Sequence, residues 1–195
     1  DLGNEFYQQW LDPSMTYSAA YYTDDHQTLA EAQYAKYQRI IDLLDIKDGD
    51  RILEIGCGWG GFAEQVCSQK KVSLHGITLS ERQLEFAQQR LAKAATVGSA
   101  EFSLTDYRDT KGEYDHIVSI EMLEAVGEKY WPNYFETVCK RLKPGGKASV
   151  QIITIEDKRF AQYSTNPDFI QTYIFPGGML PTPDIFKEQA ELAGL

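Results

Sequence analysis

The chain has 195 residues, 43% of them hydrophobic and 25% charged, with a formal net charge of −10, which suits one α/β domain with a full core and leaves too little for two. That charge repels nucleic acid and anionic headgroups over a Debye length, so no nucleic-acid partner is expected and a membrane surface would be met only through exposed aromatics. No apolar run is long enough to cross a bilayer and no leader pattern opens the chain, while Asp1, without a methionine, reads as a cut or processed start.

From the N-terminus, Asp1 to Thr23 is rich in aromatics, among them Phe6, Tyr7, Trp10, Tyr17, Tyr21 and Tyr22. Leu29, Tyr37, Ile40, Ile41 and Leu44 then follow helical spacing over 28–45, and Lys47–Asp50 reads as a turn. Strands are predicted at 51–55, 72–77, 101–105 and 114–120. A helix is predicted from about Gly61 to Ser68, and a second from Ser80 to about Thr96, with Gln83 completing a capping box. A third, near 130–142, places Trp131, Phe135, Val138 and Leu142 on one face. "KPGG" at 143–146 reads as a turn into a long strand over 147–155, and a Gly/Pro loop precedes a last amphipathic helix. Strand alternating with helix predicts a doubly wound, Rossmann-like parallel sheet. Residues 1–46 would cap a core over 47–195, and a final helix with no strand after it suggests that C-terminal strands are missing.

Cys57, Cys67 and Cys139 lack C-x-x-C spacing and form an odd set, which reads as reduced thiols in a cytoplasmic protein. His26, His75 and His116 lie far apart in sequence, so no metal is assigned. The basic pairs near Lys70 and Lys140 read as solvated helix ends.

The chemistry concentrates in "LEIGCGWGG", Leu53 to Gly61. Its glycines fit both G-x-G-x-x-G and G-x-G-x-G, and no Lys-Ser/Thr pair follows that would make a Walker loop. A dinucleotide fold normally places an acid at the end of the second strand, where this chain reads "GITLS". Glu54 instead precedes the first glycine. An acid before the loop suits an ammonium, and loop amides at a helix start suit a carboxylate, so a zwitterionic amino-acid tail fits better than a pyrophosphate.

"LEIGCGWGG", "GITLS" and "DYRD" resemble motifs one to three of class I S-adenosylmethionine-dependent methyltransferases. "GNEFYQQWLDPSMTYSAAYY", "GITLSERQ", "IVSIEMLEAVG", "YWPNYF", "LKPGG" and "YIFPGGMLP" follow in the order found in the cyclopropane-fatty-acyl-phospholipid synthases, a family that includes the mycolic acid cyclopropane synthases. The resemblance spans Gly3 to Pro181. It implies S-adenosylmethionine as cofactor. Tyr17 and Ser18 would close over it, with Gly56, Gly58 and Gly60 at its amino-acid end and Glu54, Cys57 and Trp59 among the binding residues. Thr78, Leu79 and Gln83 match ribose-side positions, and Asp106 and Tyr107 adenine-side positions.

The resemblance further implies methyl transfer to a cis double bond in an acyl chain of a phospholipid, at a transient contact with the inner membrane face. A bound bicarbonate would be the base, held by a Cys, a Glu, a His and a Tyr. The Glu matches Glu124, but Ala19 stands at the Cys position and Gln151 at the His position, while the Tyr would lie beyond Leu195. Glu121 stands where many of these synthases have Gly. The base is then an anion held by backbone amides, Glu124 and Gln151, or a carboxylate of the chain itself, Glu121 or Glu124; a cofactor-shell role for Glu121 is an equal alternative. Phe6, Tyr7, Trp10 and Leu11 read either as an apolar lid or, more commonly for such a stripe, as a docked terminal helix. "FPGGM" at 175–179 reads as a gate or a plain turn. A small-molecule N- or C-methyltransferase and a non-catalytic cofactor-binding subunit remain alternatives on the same fold.

Overall fold

In the computed structural model, which describes residues 3–195, five parallel strands run in the order β3-β2-β1-β4-β5. They are β1 (Arg51–Ile55), β2 (Ser73–Thr78), β3 (Ser99–Leu104), β4 (Tyr114–Ile120) and β5 (Leu142–Gln151). Asp1 and Leu2, the first residues of the expected cap, lie outside the described residues. The strand order reverses between β1 and β4, so the crevice beyond their carboxyl ends is the natural ligand position.

Alternation along β1 sends Ile52 into one apolar layer and Leu53 and Ile55 into the other. Helices α2 (Leu29–Leu44), α3 (Gly61–Gln69) and α4 (Glu81–Lys93) cover the first layer, and α5 (Trp131–Arg141) and α7 (Pro183–Leu192) the second. Helix α2 opens on a capping box in which Thr28 and Glu31 satisfy each other's backbone N–H. On α5 the expected face is buried at Trp131, Phe135 and Val138, joined by Tyr134, whereas Leu142, expected on the same face, lies past the helix as the first residue of β5. The N-terminal cap is less helical than expected, with one turn, α1 (Asn4–Tyr7), before α2.

Four local expectations change. Ser80 caps α4, but Gln83 does not complete the box, because its side-chain oxygen accepts from the Thr78 hydroxyl at 2.8 Å. Helix α4 also stops at Lys93, short of Thr96. Residues 143–146 form no turn ahead of a strand; they are a bulge inside β5, which pairs Leu142 with Tyr114 and then Lys147 with His116. Lys143 is anchored there by the Asp115 carboxylate at 2.8 Å. Finally, β5 ends at Gln151 and not at residue 155, because the Ile153 N–H leaves the ladder and donates to the Glu124 side chain at 2.6 Å. A helix not foreseen, α6 (Asp157–Thr165), follows.

Candidate active site

After β1, the N–H groups of Gly56 and Cys57 both donate to the Ile77 carbonyl, at 3.0 and 2.9 Å, which pins the loop to β2. Gly56, Gly58 and Gly60 have φ of 81°, 52° and 80°. The left-handed backbone therefore follows the G-x-G-x-G spacing. Gly61 serves close packing, since a Cβ there would stand 2.9 Å from the Tyr37 hydroxyl. A Cβ at Gly58 would meet nothing within 4 Å among the described residues, so the loop leaves open space on that side. Helix α3 starts immediately after, with N–H groups of its first turn available to a carboxylate.

Glu54 lies beneath this loop, 3% exposed, with Oε2 unpartnered among the described residues. Burial raises its carboxyl well above the usual range. The folded chain then keeps this proton at pH values where the unfolded chain, with an ordinary Glu value of about 4.3, has released it. Stability contributed by the protonated group is therefore lost as pH rises above that ordinary value. Glu124 adds to the same trend, so Glu54→Gln is expected to flatten the decline without abolishing it. Thermal melts of both proteins in the absence of ligand check this; parallel curves would contradict it.

The other residues assigned to the cofactor are spread along the carboxyl ends of β1 to β3 and onto the N-terminal segment. Thr78 is buried and tied to Gln83, and Leu79 is 73% exposed beside them. Asp106 caps a short 3₁₀ turn and is held by Arg108 at 2.6–2.9 Å, which keeps its carboxyl below the ordinary range. Tyr107 is half-buried against Tyr134. Cys57 and Trp59 are buried, and the Trp59 indole N–H donates to Asn4. Burial also pushes the Cys57 thiol up, so it is no nucleophile at neutral pH.

Tyr17 and Ser18, on the N-terminal segment, form part of the wall of a 540 Å³ cavity at the carboxyl ends of β4 and β5. Leu11, Leu29, Ile153, Ile170, Met179 and Leu180 give this cavity an apolar lining, and Glu121, Glu124 and Asp168 bring carboxylates to its wall. Cavity and glycine loop adjoin, because Thr16, on the cavity wall, lies against Gly61 and bonds the Tyr37 hydroxyl at 2.8 Å.

Glu121 follows the last residue of β4 with φ of 50°, an uncommon conformation for a residue with a Cβ. Its Oε1 accepts from the Ala19 N–H at 2.8 Å and from the Gln151 side-chain amide at 2.9 Å, so all three residues meet. Glu124 holds the Ile153 N–H with Oε1, while Oε2 is buried without a partner among the described residues. Burial raises its carboxyl, and the charge of Glu121 adds to the rise.

Lys36 was not foreseen. Its ammonium donates to the Ser18 hydroxyl at 2.6 Å and the Ala19 carbonyl at 3.1 Å, and burial lowers it to about 8 against the opposing pull of Glu121. Gln33 supports the same strap by donating to the Ser18 carbonyl at 2.8 Å. One signal was available: Lys36 falls inside the buried stripe of α2, between Gln33 and Ile40. Lys36→Met removes both bonds, and is expected to weaken whatever Tyr17 and Ser18 hold by roughly tenfold, the equivalent of about 1.4 kcal/mol. Calorimetric titration with S-adenosylhomocysteine checks it, and unchanged affinity would contradict it.

The N-terminal aromatics divide between the two expected roles. Trp10 and Leu11 line the cavity, whereas Tyr7 docks on Trp59 with ring centroids 5.1 Å apart. Phe175, Gly178 and Met179 of "FPGGM" also line the cavity, in a turn closed by the Gly178 N–H on the Phe175 carbonyl.

The family model described as mycolic acid cyclopropane synthetase matches residues 1–195. The chain is 41% identical over 191 residues to the cyclopropane-fatty-acyl-phospholipid synthase of Escherichia coli K12, covering 98% of this chain and 48% of that protein. It is 39% identical over 189 residues to a tuberculostearic acid methyltransferase of Mycobacterium tuberculosis, covering 93% of this chain and 44% of the relative. A solved mycolic acid cyclopropane synthase, complexed with SAH and CTAB, superposes with a TM-score of 0.89 at 31% identity over 98% of this chain and 70% of its own. The chain thus spans about half the length of the curated relatives it matches.

Proposed function

Because this chain belongs to the mycolic acid cyclopropane synthetase family, we propose that it transfers a methyl group from S-adenosylmethionine to the double bond of an unsaturated acyl chain of a phospholipid. The cap over 1–46 and the core over 47–195 act as one domain in this reading. The observation that carries it is the largely apolar cavity of 540 Å³, with Glu121 and Glu124 among the carboxylates in its wall, adjoining a glycine loop. An acyl chain suits that lining better than a small amine does.

The cofactor's amino-acid end fits residues that are otherwise unexplained. Gly58 leaves a cradle that a side chain would fill, and the buried Glu54 lacks a partner for Oε2, which an ammonium would supply. When bound, the cofactor supplies a methyl group on a positively charged sulfur. The alkene is a feeble nucleophile, so the chain contributes position and dryness. Tyr17, Trp10 and Phe175 bring aromatic faces to the cavity wall, where they can stabilise positive charge developing on the acyl chain.

Membrane contact fits the rings beside the cavity. Phe169 and Tyr173 are 64% and 71% exposed and pack on each other at 5.2 Å, next to the cavity-lining Ile170. Replacing both by Glu is expected to cut turnover on vesicles about tenfold or more while leaving affinity for S-adenosylhomocysteine unchanged. Sedimentation with vesicles, together with calorimetry, checks this; undiminished turnover would contradict it.

Incubation of the full chain with deuteromethyl-labelled donor and vesicles of unsaturated phospholipid tests the proposal. Mass analysis should find acyl chains gaining one labelled carbon, as a ring or as a branch. No gain with any unsaturated phospholipid would contradict the lipid reading.

A further inference from the structure

The family resemblance implies a bicarbonate base, and the residues present do not fit one. The Ala19 N–H and the Gln151 amide, at the positions where such an ion would find donors, are both engaged by Glu121 Oε1 at 2.8 and 2.9 Å. Gln151 spends its amide further on the Ala19 carbonyl at 3.2 Å, and the Ala19 side chain offers no donor. From the other side, the Ile153 N–H is taken by Glu124 at 2.6 Å. An external anion would have to displace a carboxylate of the protein from each of these donors. The backbone is arranged for the same occupant, since Glu121 is held at φ of 50° on the cavity wall with the Lys36 ammonium nearby.

We infer that Glu121 is a built-in catalytic base, its carboxylate standing in the seat of the ion so that the reaction proceeds without bicarbonate. This rests on the methyl-transfer reading above. Addition of the methyl carbon to one alkene carbon breaks the bond to sulfur, whose electron pair remains on sulfur, and leaves a positive charge on the other alkene carbon. Glu121 Oε2 then takes a proton from the cationic chain. Lost from the added methyl, that proton leaves its C–H pair to close the third side of a cyclopropane. Following a hydride shift onto the charged carbon, the same loss leaves the pair as a carbon–carbon double bond to the methyl carbon. Either product is neutral, and the Glu121 carboxyl afterwards releases its proton to water. Glu124 keeps its hold on the Ile153 N–H throughout and positions the turn that carries Glu121.

The test uses the full chain with three versions of this position. Wild type should turn over equally in CO₂-free buffer and in buffer with bicarbonate added, and should show no binding of ¹³C-bicarbonate by NMR. Glu121→Gln keeps an acceptor for Ala19 and Gln151 and removes the base. It should lose about 10²- to 10⁴-fold in turnover with affinity for S-adenosylhomocysteine within about twofold of wild type. Glu121→Gly tolerates the left-handed backbone and frees the donors. It should bind ¹³C-bicarbonate and regain turnover when bicarbonate or formate is supplied. Wild type that binds bicarbonate, or slows without it and recovers with it, would overturn the inference. So would full turnover by Glu121→Gln, or a Glu121→Gly variant that neither binds nor responds to the anion. Absence of any lipid product from wild type with bicarbonate present counts against the methyl-transfer reading, whereas the NMR titration reads occupancy of the seat independently.

Discussion

Gly58→Leu is expected to lower affinity for S-adenosylhomocysteine by at least about 100-fold, or about 2.7 kcal/mol, while the protein still folds. A Cβ at Gly58 meets no atom of the described residues within 4 Å, so the fold bears only the strain of φ of 52°. That strain is roughly 1–2 kcal/mol, a fall in melting temperature of roughly 2–8 °C for a chain of this size. Gly60 cannot make the same distinction, because a Cβ there would stand 3.0 Å from Ala87 and disturb the contact between α3 and α4. Calorimetry and a thermal melt together decide the outcome. Should the loop be a tight turn and nothing more, the melt would shift and the affinity would not.

The second large effect is expected at the cavity. Ala125 lies in the short turn after β4, is exposed and belongs to the cavity wall. Ala125→Trp would fill a large part of the 540 Å³ with an indole at little expense to the fold, about 0.5 kcal/mol or less at an exposed site. Turnover on phospholipid vesicles should fall by about 100-fold or more, with affinity for S-adenosylhomocysteine within about twofold of wild type. Ala125→Ser, which fills nothing, should behave as wild type. Equal loss of cofactor binding and turnover would mean that cavity and cofactor seat are one space, and unchanged turnover would mean that the acyl chain goes elsewhere.

How much of this was legible depended on sequence distance. The strands of a parallel sheet buried on both faces read as short apolar runs, and β1, β2, β3 and β4 stood in them within two residues of their observed limits. The glycine loop was equally plain, although the two glycine templates were separated only by backbone conformation at Gly60 and Gly61. Where elements are fixed by distant partners, periodicity was silent, and only the family resemblance had drawn Ala19, Gln151, Glu121 and Glu124 toward one site. The end of β5 is set by Glu124, 29 residues before Ile153 in the chain, and the meeting of Glu121 with Ala19 and Gln151 joins residues 102 and 30 apart. Lys36 carried no assignment in the sequence, since its partners, Ser18 and Ala19, are 18 and 17 residues away. Helix α6 buries no residue fully, so no periodic stripe announced it.

Calorimetric titration of the full chain with S-adenosylhomocysteine and, separately, with NAD tests the central claim most directly. The account predicts tight, saturable binding of the first, weakened by Gly58→Leu, and no binding of the second. Tight binding of NAD with indifference to S-adenosylhomocysteine would contradict it.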